Sequence, residues 1–487
     1  MDRLYSASCW FVVIVFLYRW VRITFHPELR HVPGPFLNRF SRLPLKYAIC
    51  TGHRADYIHA LHQRYGHFVR IAPNEVAVSE IQAVKAIHRS GTGFLKADWY
   101  VETHPTMKSE DDLCLFQVQN PRTAAERRKL YHRSGSRLAL KAWEPQVRQY
   151  TEAAVARIKG DIQTTGYADI YKWFTFMATD LIGVVAFGEP FGLLRTGAAT
   201  TLNHDLEKIM MLTGLGVEFN LWLFVKYFPV PGIGNLKKIL ARMQEEGYRA
   251  VAATKDSLSK GSSSSHQTLF SKMVSEDGSE APFSDAVVAN EAIGDIVAGS
   301  DTSAAGIAYM IYAVLGHPDV KKRLQDELAT CSPSPGWDEL EGKQYLNWVI
   351  DEGLRLYPPA PSSLPRKVPD KGAVLGGYKL PGRCVVSTQA LTIQRDPVAF
   401  PNPEEFVPER WENATPEMRD HFVPFGGSMR SCVGQHLARL ELLFAIQTFF
   451  HECPDVVMAK SADEKCMERL DFFTAKPRGG KVEVTNA

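Results

Sequence analysis

One cysteine of the chain stands in a setting that suits metal binding. Cys432 lies in the glycine-rich segment FGGSMRSCVG, residues 425–434, and apolar residues recur at helical spacing over residues 435–450. The glycines predict a sharp turn that ends at a helix N-terminus. Free N–H groups and the positive end of the helix dipole stabilise a thiolate there, the form of cysteine that binds metal. The alternative is an ordinary buried cysteine.

An acid and a hydroxyl stand side by side in a second segment. Residues 285–315 predict a helix with Ser284 as its N-cap and a stop at residues 316–318. Inside it, Asp301 and Thr302 lie in a stretch of small and apolar residues. Such a pair can relay a proton and hydrogen-bond a reacting oxygen. The alternative for Thr302 is a hydrogen bond to the carbonyl group one turn back.

The same helix must cross the core, because at about 1.5 Å per residue it spans roughly 46 Å. It nevertheless contains Gly294, Gly299 and Gly306, each of which costs up to about 1 kcal/mol relative to alanine. Close helix packing explains the glycines but not the acid. A flat ligand pressed against the helix explains both.

Two shorter patterns complete the set. Glu352 and Arg355 are i, i+3 on a predicted helix and so share a face, and residues 408–411 read PERW. In their order along the chain, these segments resemble the signatures of cytochrome P-450, the haem-thiolate monooxygenases. Residues 425–434 resemble the haem-ligand loop FxxGxRxCxG, residues 298–303 (AGSDTS) the oxygen-binding helix motif, and the other two the ExxR and PERF-like segments.

The resemblance implies a haem b cofactor whose iron is bound by Cys432. It places Phe425 near the sulfur and Gly299 against the haem. Thiolate ligation favours cleavage of the O–O bond. Asp301 and Thr302 are then the catalytic residues, which supply protons beside the iron.

Arginines complete the implied haem site. Arg430, two residues before the cysteine, reaches a haem propionate. Arg128 and Arg366 occupy positions where family members bind propionates, with Arg127 as the alternative to Arg128. Glu352 and Arg355, with Arg410 as a third partner, are implied to be scaffold.

The chain departs from the family pattern at three positions. Ser428 replaces the usual glycine of the cysteine loop, where a positive φ would cost some strain. Ala124 stands where many members have a Trp or His that bonds a propionate, and Gln394 stands where a His is common. None of these changes removes a catalytic part.

The fold class predicted is mainly α: a cytochrome P-450 fold, helix-rich with small β-sheets, plus one N-terminal transmembrane helix. Residues 68–79 predict a β-hairpin, and residues 257–267 a low-complexity loop between helices. We expect residues 1–35 to form a membrane anchor and Pro-rich hinge, and residues 36–487 the haem-thiolate catalytic domain.

The anchor prediction rests on the first 25 residues. Residues 4–18 carry no charge and residues 9–17 are apolar throughout. Continued to Phe25, with Arg19 and Arg22 snorkelling outward, a helix reaches about 33 Å, enough for one tilted span. A cleaved signal peptide is the alternative. The positive-inside rule predicts a single-pass protein of the endoplasmic reticulum membrane with its catalytic domain on the cytoplasmic side.

Composition limits the partners. Lys plus Arg number 56 against 54 Asp plus Glu, which is too balanced for a nucleic-acid binder. No GxGxxG follows a strand and no P-loop occurs, so the resemblance implies that NADPH is used indirectly, through an NADPH-cytochrome reductase, a flavoprotein.

A basic patch could steer that partner, although it could equally be an ordinary solvated helix face. Its residues are Arg122, Arg127, Arg128, Lys129, Arg133 and Arg137.

The pocket predicted from family regions is apolar and aromatic. It suits a lipophilic substrate such as a terpenoid, polyketide or alkaloid intermediate. Residues 345–359 look most like members from fungal secondary metabolism, and residues 217–233 could dip into the membrane. The pocket candidates are Trp99, Phe116, Leu215, Phe219, Trp222, Ile293, Val297, Leu364, Phe472 and Phe473.

The function predicted is a haem-thiolate monooxygenase that inserts one atom of O₂ into a lipophilic substrate. One alternative is the same fold catalysing desaturation, ring formation or rearrangement. Another is a membrane-tethered haem sensor, against which Asp301 and Thr302 argue, since a sensor needs no proton delivery.

Overall fold

A computed structural model of the chain describes residues 10, 18, 20–21, 24–103, 109–219, 233–259, 268–271, 273–274 and 283–487. The predicted membrane anchor lies mostly outside these residues, as do most of the predicted loop at 257–267 and of the segment 217–233. Within the described chain, one helix, Ile170–Phe187, is long and apolar enough to cross a membrane, but 83% of it is buried inside the protein. It is a core helix.

The helix-rich fold expected from the sequence is present. Helices α1 to α20 are Phe36–Phe40, Leu43–Cys50, Arg54–Tyr65, Ile81–His88, Asp98–Glu102, Pro121–Ser134, Arg137–Lys141, Glu144–Thr165, Ile170–Phe187, Leu193–Thr196, Thr201–Phe219, Ile233–Ser259, Asp285–Leu315, Pro318–Leu328, Trp337–Glu341, Gln344–Leu356, Ala390–Ile393, Pro416–His421, Gln435–Glu452 and Glu464–Met467. Single 3₁₀ turns occur at Leu29–His31, Glu110–Asp112, Pro408–Trp411 and Ser428–Arg430.

The strands form small sheets. Strands β1 to β12 are Phe68–Ala72, Glu75–Val78, Leu95–Lys96, Ala168–Asp169, Ser363–Lys367, Ala373–Leu375, Tyr378–Leu380, Val385–Gln389, Val456–Met458, Arg469–Asp471, Ala475–Pro477 and Glu483–Asn486. The largest sheet has the order β1-β2-β8-β5-β3. The predicted hairpin is confirmed, because β1 and β2 pair antiparallel with Phe68 opposite Val78.

Helix α13 is the axis of the core. It spans 31 residues, and the Ser284 hydroxyl accepts a hydrogen bond from the Val287 N–H at its start, as the sequence predicted. Helices α9, α12, α16 and α19 pack around it. From Ala304 to Val314 it is almost wholly buried, and the residues by which it borders a cavity lie between Asp295 and Gly306.

The glycines of α13 allow neighbouring side chains to approach the helix closely, as the packing explanation predicts. A Cβ at Gly299 would meet the side chain of Ile182 on α9, 3.3 Å away, and one at Gly294 would meet Cys114 at 3.1 Å. A Cβ at Gly306 would meet Pro359 at 3.3 Å. Close packing therefore accounts for all three glycines, and the hypothesis of a flat ligand against the helix stays a prediction for Gly299 and Gly306, which also border the cavity described next.

Candidate active site

A cavity of about 730 Å³ separates α13 from the loop that precedes α19. Most of the predicted site residues lie on its wall: Gly299 and Thr302 on the α13 side, and Phe425, Arg430 and Cys432 on the loop side. Asp301, Arg128 and Arg366 are not among the lining residues, although Arg128 bonds Ser431 of the cysteine loop and the charge of Arg366 acts on Arg430.

The cysteine loop is shaped by two residues with positive φ. Gly426 has φ 71° and Ser428 has φ 61°, so the strain expected at Ser428 is present. The turn closes where the Cys432 N–H donates to the Phe425 carbonyl at 2.8 Å. Helix α19 begins three residues after Cys432, and its N-cap, Gly434, contributes no side-chain bond.

The Cys432 side chain is open to the cavity, but the surrounding protein raises the pKa of its thiol by desolvation, and the Gly434 N–H and the charge of Arg128 act in the opposite direction. A coordinated metal removes such a proton outright. No group of three or more His, Cys, Asp or Glu side chains able to hold a metal occurs among the described residues. Haem iron needs a single protein ligand from this loop, so a lone cysteine fits it.

The two neighbouring arginines of α6 have separate roles. Arg128 donates to the carbonyl and hydroxyl oxygens of Ser431, next to Cys432. Arg127 is 1% exposed and donates to Glu291 Oε1 at 3.0 Å. Of the two candidates for the propionate-binding position, Arg128 is therefore the one that lies at the cysteine loop.

Positive charge is concentrated beside the cavity at Arg430, Arg366 and Lys96. Arg430 Nη1 and Arg366 Nε are buried and lack a hydrogen-bond partner in the described chain. Burial and the charge of Arg366 lower the pKa of Arg430 to about 10. Burial, Arg366 and Arg430 lower the pKa of Lys96 to about 7. Unsatisfied buried cations fit an anion, so this cluster fits the two propionates of a haem. Lys96 was not predicted; it bonds the Leu115 and Phe116 carbonyls.

Thr302 and Asp301 face different surroundings. The Thr302 hydroxyl donates to the Ala298 carbonyl one turn back at 2.6 Å, while the residue still borders the cavity. Burial raises the pKa of Asp301 to about 6; the charge of Glu207 on α11 adds to the rise, and that of Lys476 on β11 opposes it.

A buried ion-pair network fixes the other face of α16. Glu352 and Arg355 are 0% exposed and bonded to each other. Glu352 also accepts from Arg410 Nε at 2.9 Å and from the Trp411 indole at 3.0 Å. The predicted third partner is confirmed, and the indole is an addition that no spacing rule could supply. Gln394 connects this network to the segment before the cysteine loop, because its amide donates to the Arg355 carbonyl and accepts from the Val423 N–H.

Comparison with known proteins assigns the family. The Cytochrome P450 sequence profile matches residues 33–484. The chain belongs to the cytochrome P450 family. It is 34% identical over 461 residues to cytochrome P450 monooxygenase orf2 of Aspergillus niger, covering 94% of this chain and 93% of that protein. Cytochrome P450 monooxygenase tazI of Aspergillus terreus has the same identity and coverage. Cytochrome P450 monooxygenase stcB of Emericella nidulans is 33% identical over 481 residues, 96% of this chain and 90% of its own.

The protein is thus a haem-thiolate monooxygenase of the P450 family. Sequence reasoning missed the acids that line its cavity, which are Asp295, Asp420 and Glu441. Glu441 on α19 is 3% exposed, lines the cavity and accepts a hydrogen bond from Ser303. Burial raises its pKa to about 8. The signal was available, because Glu441 is an acid flanked by the apolar residues Leu440 and Leu442.

The aromatic pocket candidates of this P450 divide into two groups. Phe116, Leu364 and Phe473 line the cavity, and Trp99 packs behind Phe473. Phe472 instead approaches Gly52, and Ile293 and Val297 pack against a neighbouring apolar cluster. Leu215 packs in a separate cluster, Phe219 is exposed beneath Lys46, and Trp222 lies outside the described residues.

Proposed function

We propose that this P450 is a membrane-anchored monooxygenase that oxidises a lipophilic small molecule with O₂ and electrons from NADPH, in the biosynthesis of a secondary metabolite. The observation that carries the proposal is the cavity in which Cys432 and Thr302 occupy opposite walls beside uncompensated cations. Its relatives are named cytochrome P450 monooxygenases. We propose residues 36–487 as the catalytic domain and residues 1–35 as the anchor and hinge.

Haem would be held from two sides. Cys432 would bind the iron through its thiolate, with Phe425 packed beside the sulfur. Arg366 and Arg430 would bind the propionates, and Arg128 would brace the loop through Ser431. When bound, the haem iron supplies the activation of O₂.

The chain itself would supply protons and exclude water. Because the Thr302 hydroxyl hydrogen is committed to Ala298, its oxygen is left to accept a hydrogen bond from a protonated group in the cavity. Asp301, with a pKa of about 6, can both hold and release a proton near neutral pH. Most of the exposed surface of the wall is apolar, which suits a lipophilic substrate.

An exposed apolar surface supports attachment to a membrane. Phe36, Leu37, Leu43 and Tyr47 are all exposed and follow closely on the predicted anchor and hinge, and Trp20, within the predicted anchor, is exposed as well. Large exposed apolar patches mark interaction surfaces. We propose that this surface rests on the endoplasmic reticulum membrane, with the catalytic domain on its cytoplasmic side.

Electrons would come from a separate NADPH-cytochrome reductase. The basic patch expected for it is smaller than the sequence suggested, because Arg127 is buried against Glu291 and Arg137 is paired with Asp338 and Glu341. Arg122 and Lys129 remain exposed on α6, the helix that also carries Arg128, and these two residues would contact an acidic flavoprotein.

The test combines spectroscopy with isotope labelling. The purified full chain, reduced under carbon monoxide, should show the band of thiolate-ligated haem. A producing strain that lacks the chain should accumulate a substrate, which the enzyme with reductase and NADPH should convert under ¹⁸O₂ to a product carrying one ¹⁸O atom. A product without label would indicate desaturation, ring formation or rearrangement.

A further inference from the structure

A strained aromatic residue projects into the cavity at one turn. Phe473 has φ 89° and lies between β10 and β11, which pair antiparallel. A bulky residue rarely adopts a positive φ, and such strain persists only where the surroundings impose it. The side chain of Phe473 borders the cavity, so the strain places an aromatic ring at the site.

A buried carboxylate imposes this conformation. Asp471 is 1% exposed, and its Oδ1 accepts the Phe473 N–H at 2.9 Å. Its Oδ2 accepts the Ser362 hydroxyl at 2.9 Å and the Ala55 N–H at 3.1 Å. Because Ser362 belongs to the cavity wall and Ala55 to α3, Asp471 fixes the turn relative to both.

The ring held in this way joins other aromatic rings. Phe473 meets Phe116 with ring centroids 5.2 Å apart and planes at 68°, and meets Trp99 at 5.5 Å and 33°. Tyr100 supports Phe116 from behind at 5.1 Å. Phe116 remains 39% exposed although it lies on the cavity wall. Aromatic surface is therefore offered to whatever occupies the cavity.

We propose that Asp471 is a positioning residue that holds Phe473 against Phe116, and that these two rings select a planar aromatic or conjugated part of the substrate. Rings at about 68° form a corner, in which a flat ligand ring can stack on one and meet the other edge to face. A puckered saturated ring system of equal size cannot make both contacts. The inference rests on the proposed function, because it takes the cavity to be the active site.

A matched pair of probes tests the selection. The full haem-loaded chain is first checked for the carbon monoxide band. Absence of the band would count against the proposed function and not against the selection of planar ligands by Phe116 and Phe473. Dissociation constants for 1-naphthol and trans-1-decalol are then measured by equilibrium dialysis and by the haem spectral shift. We expect naphthol to bind more tightly, and Phe116→Leu or Phe473→Leu to reduce the naphthol to decalol preference by about three- to tenfold.

The control lies one residue away. Phe472→Leu changes the same side chain in the same way, but Phe472 approaches Gly52 and not the cavity, so the preference should stay at the parent value. Equal binding of the two probes by the parent, or an equal loss of preference in Phe472→Leu, would overturn the selection.

A double-mutant cycle tests the role of Asp471. Asp471→Asn should lower the naphthol preference while the carbon monoxide band is kept, and it should lower it no further when Phe473 is already leucine. A general structural role would instead reduce the preference equally in both backgrounds, and that result would overturn the positioning role.

Discussion

Arg127 and Arg128 are adjacent on α6, yet their guanidinium groups bind two different elements of the structure. Arg127 forms a buried ion pair with Glu291 of α13, and Arg128 bonds Ser431 of the cysteine loop. Successive residues of a helix differ by about 100° in direction, so one helix connects the long core helix and the haem-ligand loop through two neighbouring side chains.

Removing each arginine should therefore have a different result. Arg127→Gln leaves the Glu291 carboxylate buried without its cation, and we expect the free energy of unfolding to fall by about 3 kcal/mol. Arg128→Gln removes bonds to the carbonyl and hydroxyl oxygens of Ser431, which are only partly buried, so we expect a loss of about 1 kcal/mol together with weaker haem retention. Denaturant unfolding and the ratio of haem to protein absorbance after gel filtration measure the two effects. Equal stabilities of the two variants would contradict this division.

Local patterns predicted the parts of this site whose position depends on nearby residues. The helix over residues 285–315, the hairpin at residues 68–79 and the cysteine turn each follow from periodicity, caps and glycines, and the structure has all three. The positions that could not be predicted depend on distant partners. Phe472 and Phe473 differ in direction because Asp471 is tied to Ala55 and Ser362, residues more than a hundred positions away.

The cysteine assignment has an internal control on its own helix. Cys432 precedes the N-terminus of α19, and Cys453 is the C-cap of the same helix. Because the dipole favours a thiolate only at the N-terminal end, Cys432→Ala should abolish the carbon monoxide band. Cys453→Ala and Cys384→Ala should keep it. A band that survives in Cys432→Ala, or is lost in either control, would show that another residue binds the iron.

Glu441 should make stability depend on pH. Its pKa is about 8 in the folded protein against an ordinary 4.5, so the folded chain keeps a proton that the unfolded chain releases. Its contribution to stability is complete below about pH 4.5 and is lost as pH rises to about 8, at roughly 1.4 kcal/mol per pH unit. Glu441→Gln removes this term, so its Tm should fall less than the parent's between pH 6 and pH 8. If the Tm of Glu441→Gln fell as much as that of the parent, the raised pKa of Glu441 would be contradicted.

The orientation across the membrane can be tested at one exposed site. Asn413 is exposed, and Thr415, the third residue of its N-x-T sequon, caps α18. Folding therefore leaves the Asn413 amide accessible to modification. If the catalytic domain is cytoplasmic, no glycan should be attached, and glycosidase treatment should leave the mass unchanged. A fusion that directs the same chain to the lumen is the positive control.

Thr302 and Asp301 should affect the use of electrons and not the binding of haem. The Thr302 hydroxyl is bonded to Ala298 and borders the cavity, so Thr302→Ala removes both a helix bond and a cavity oxygen. The loss of the bond alone would lower Tm slightly and leave coupling unchanged. The loss of the cavity oxygen removes an acceptor for a protonated group, so much of the NADPH consumed should appear as hydrogen peroxide while the carbon monoxide band remains.

Asp301 gives this test its pH dependence. Its pKa of about 6 means that the carboxyl group is mostly protonated below that pH and mostly ionised above it. The charge of Glu207 raises this pKa and that of Lys476 lowers it. Product formation by the parent should therefore show a limb with an apparent pKa of about 6, which Asp301→Asn should lack while turning over more slowly. Thr302→Ser, which keeps the hydroxyl, should restore coupling. If Thr302→Ala and Asp301→Asn form as much product per NADPH as the parent, protons reach the cavity by another route, and Glu441 with Ser303 is the next pair to substitute.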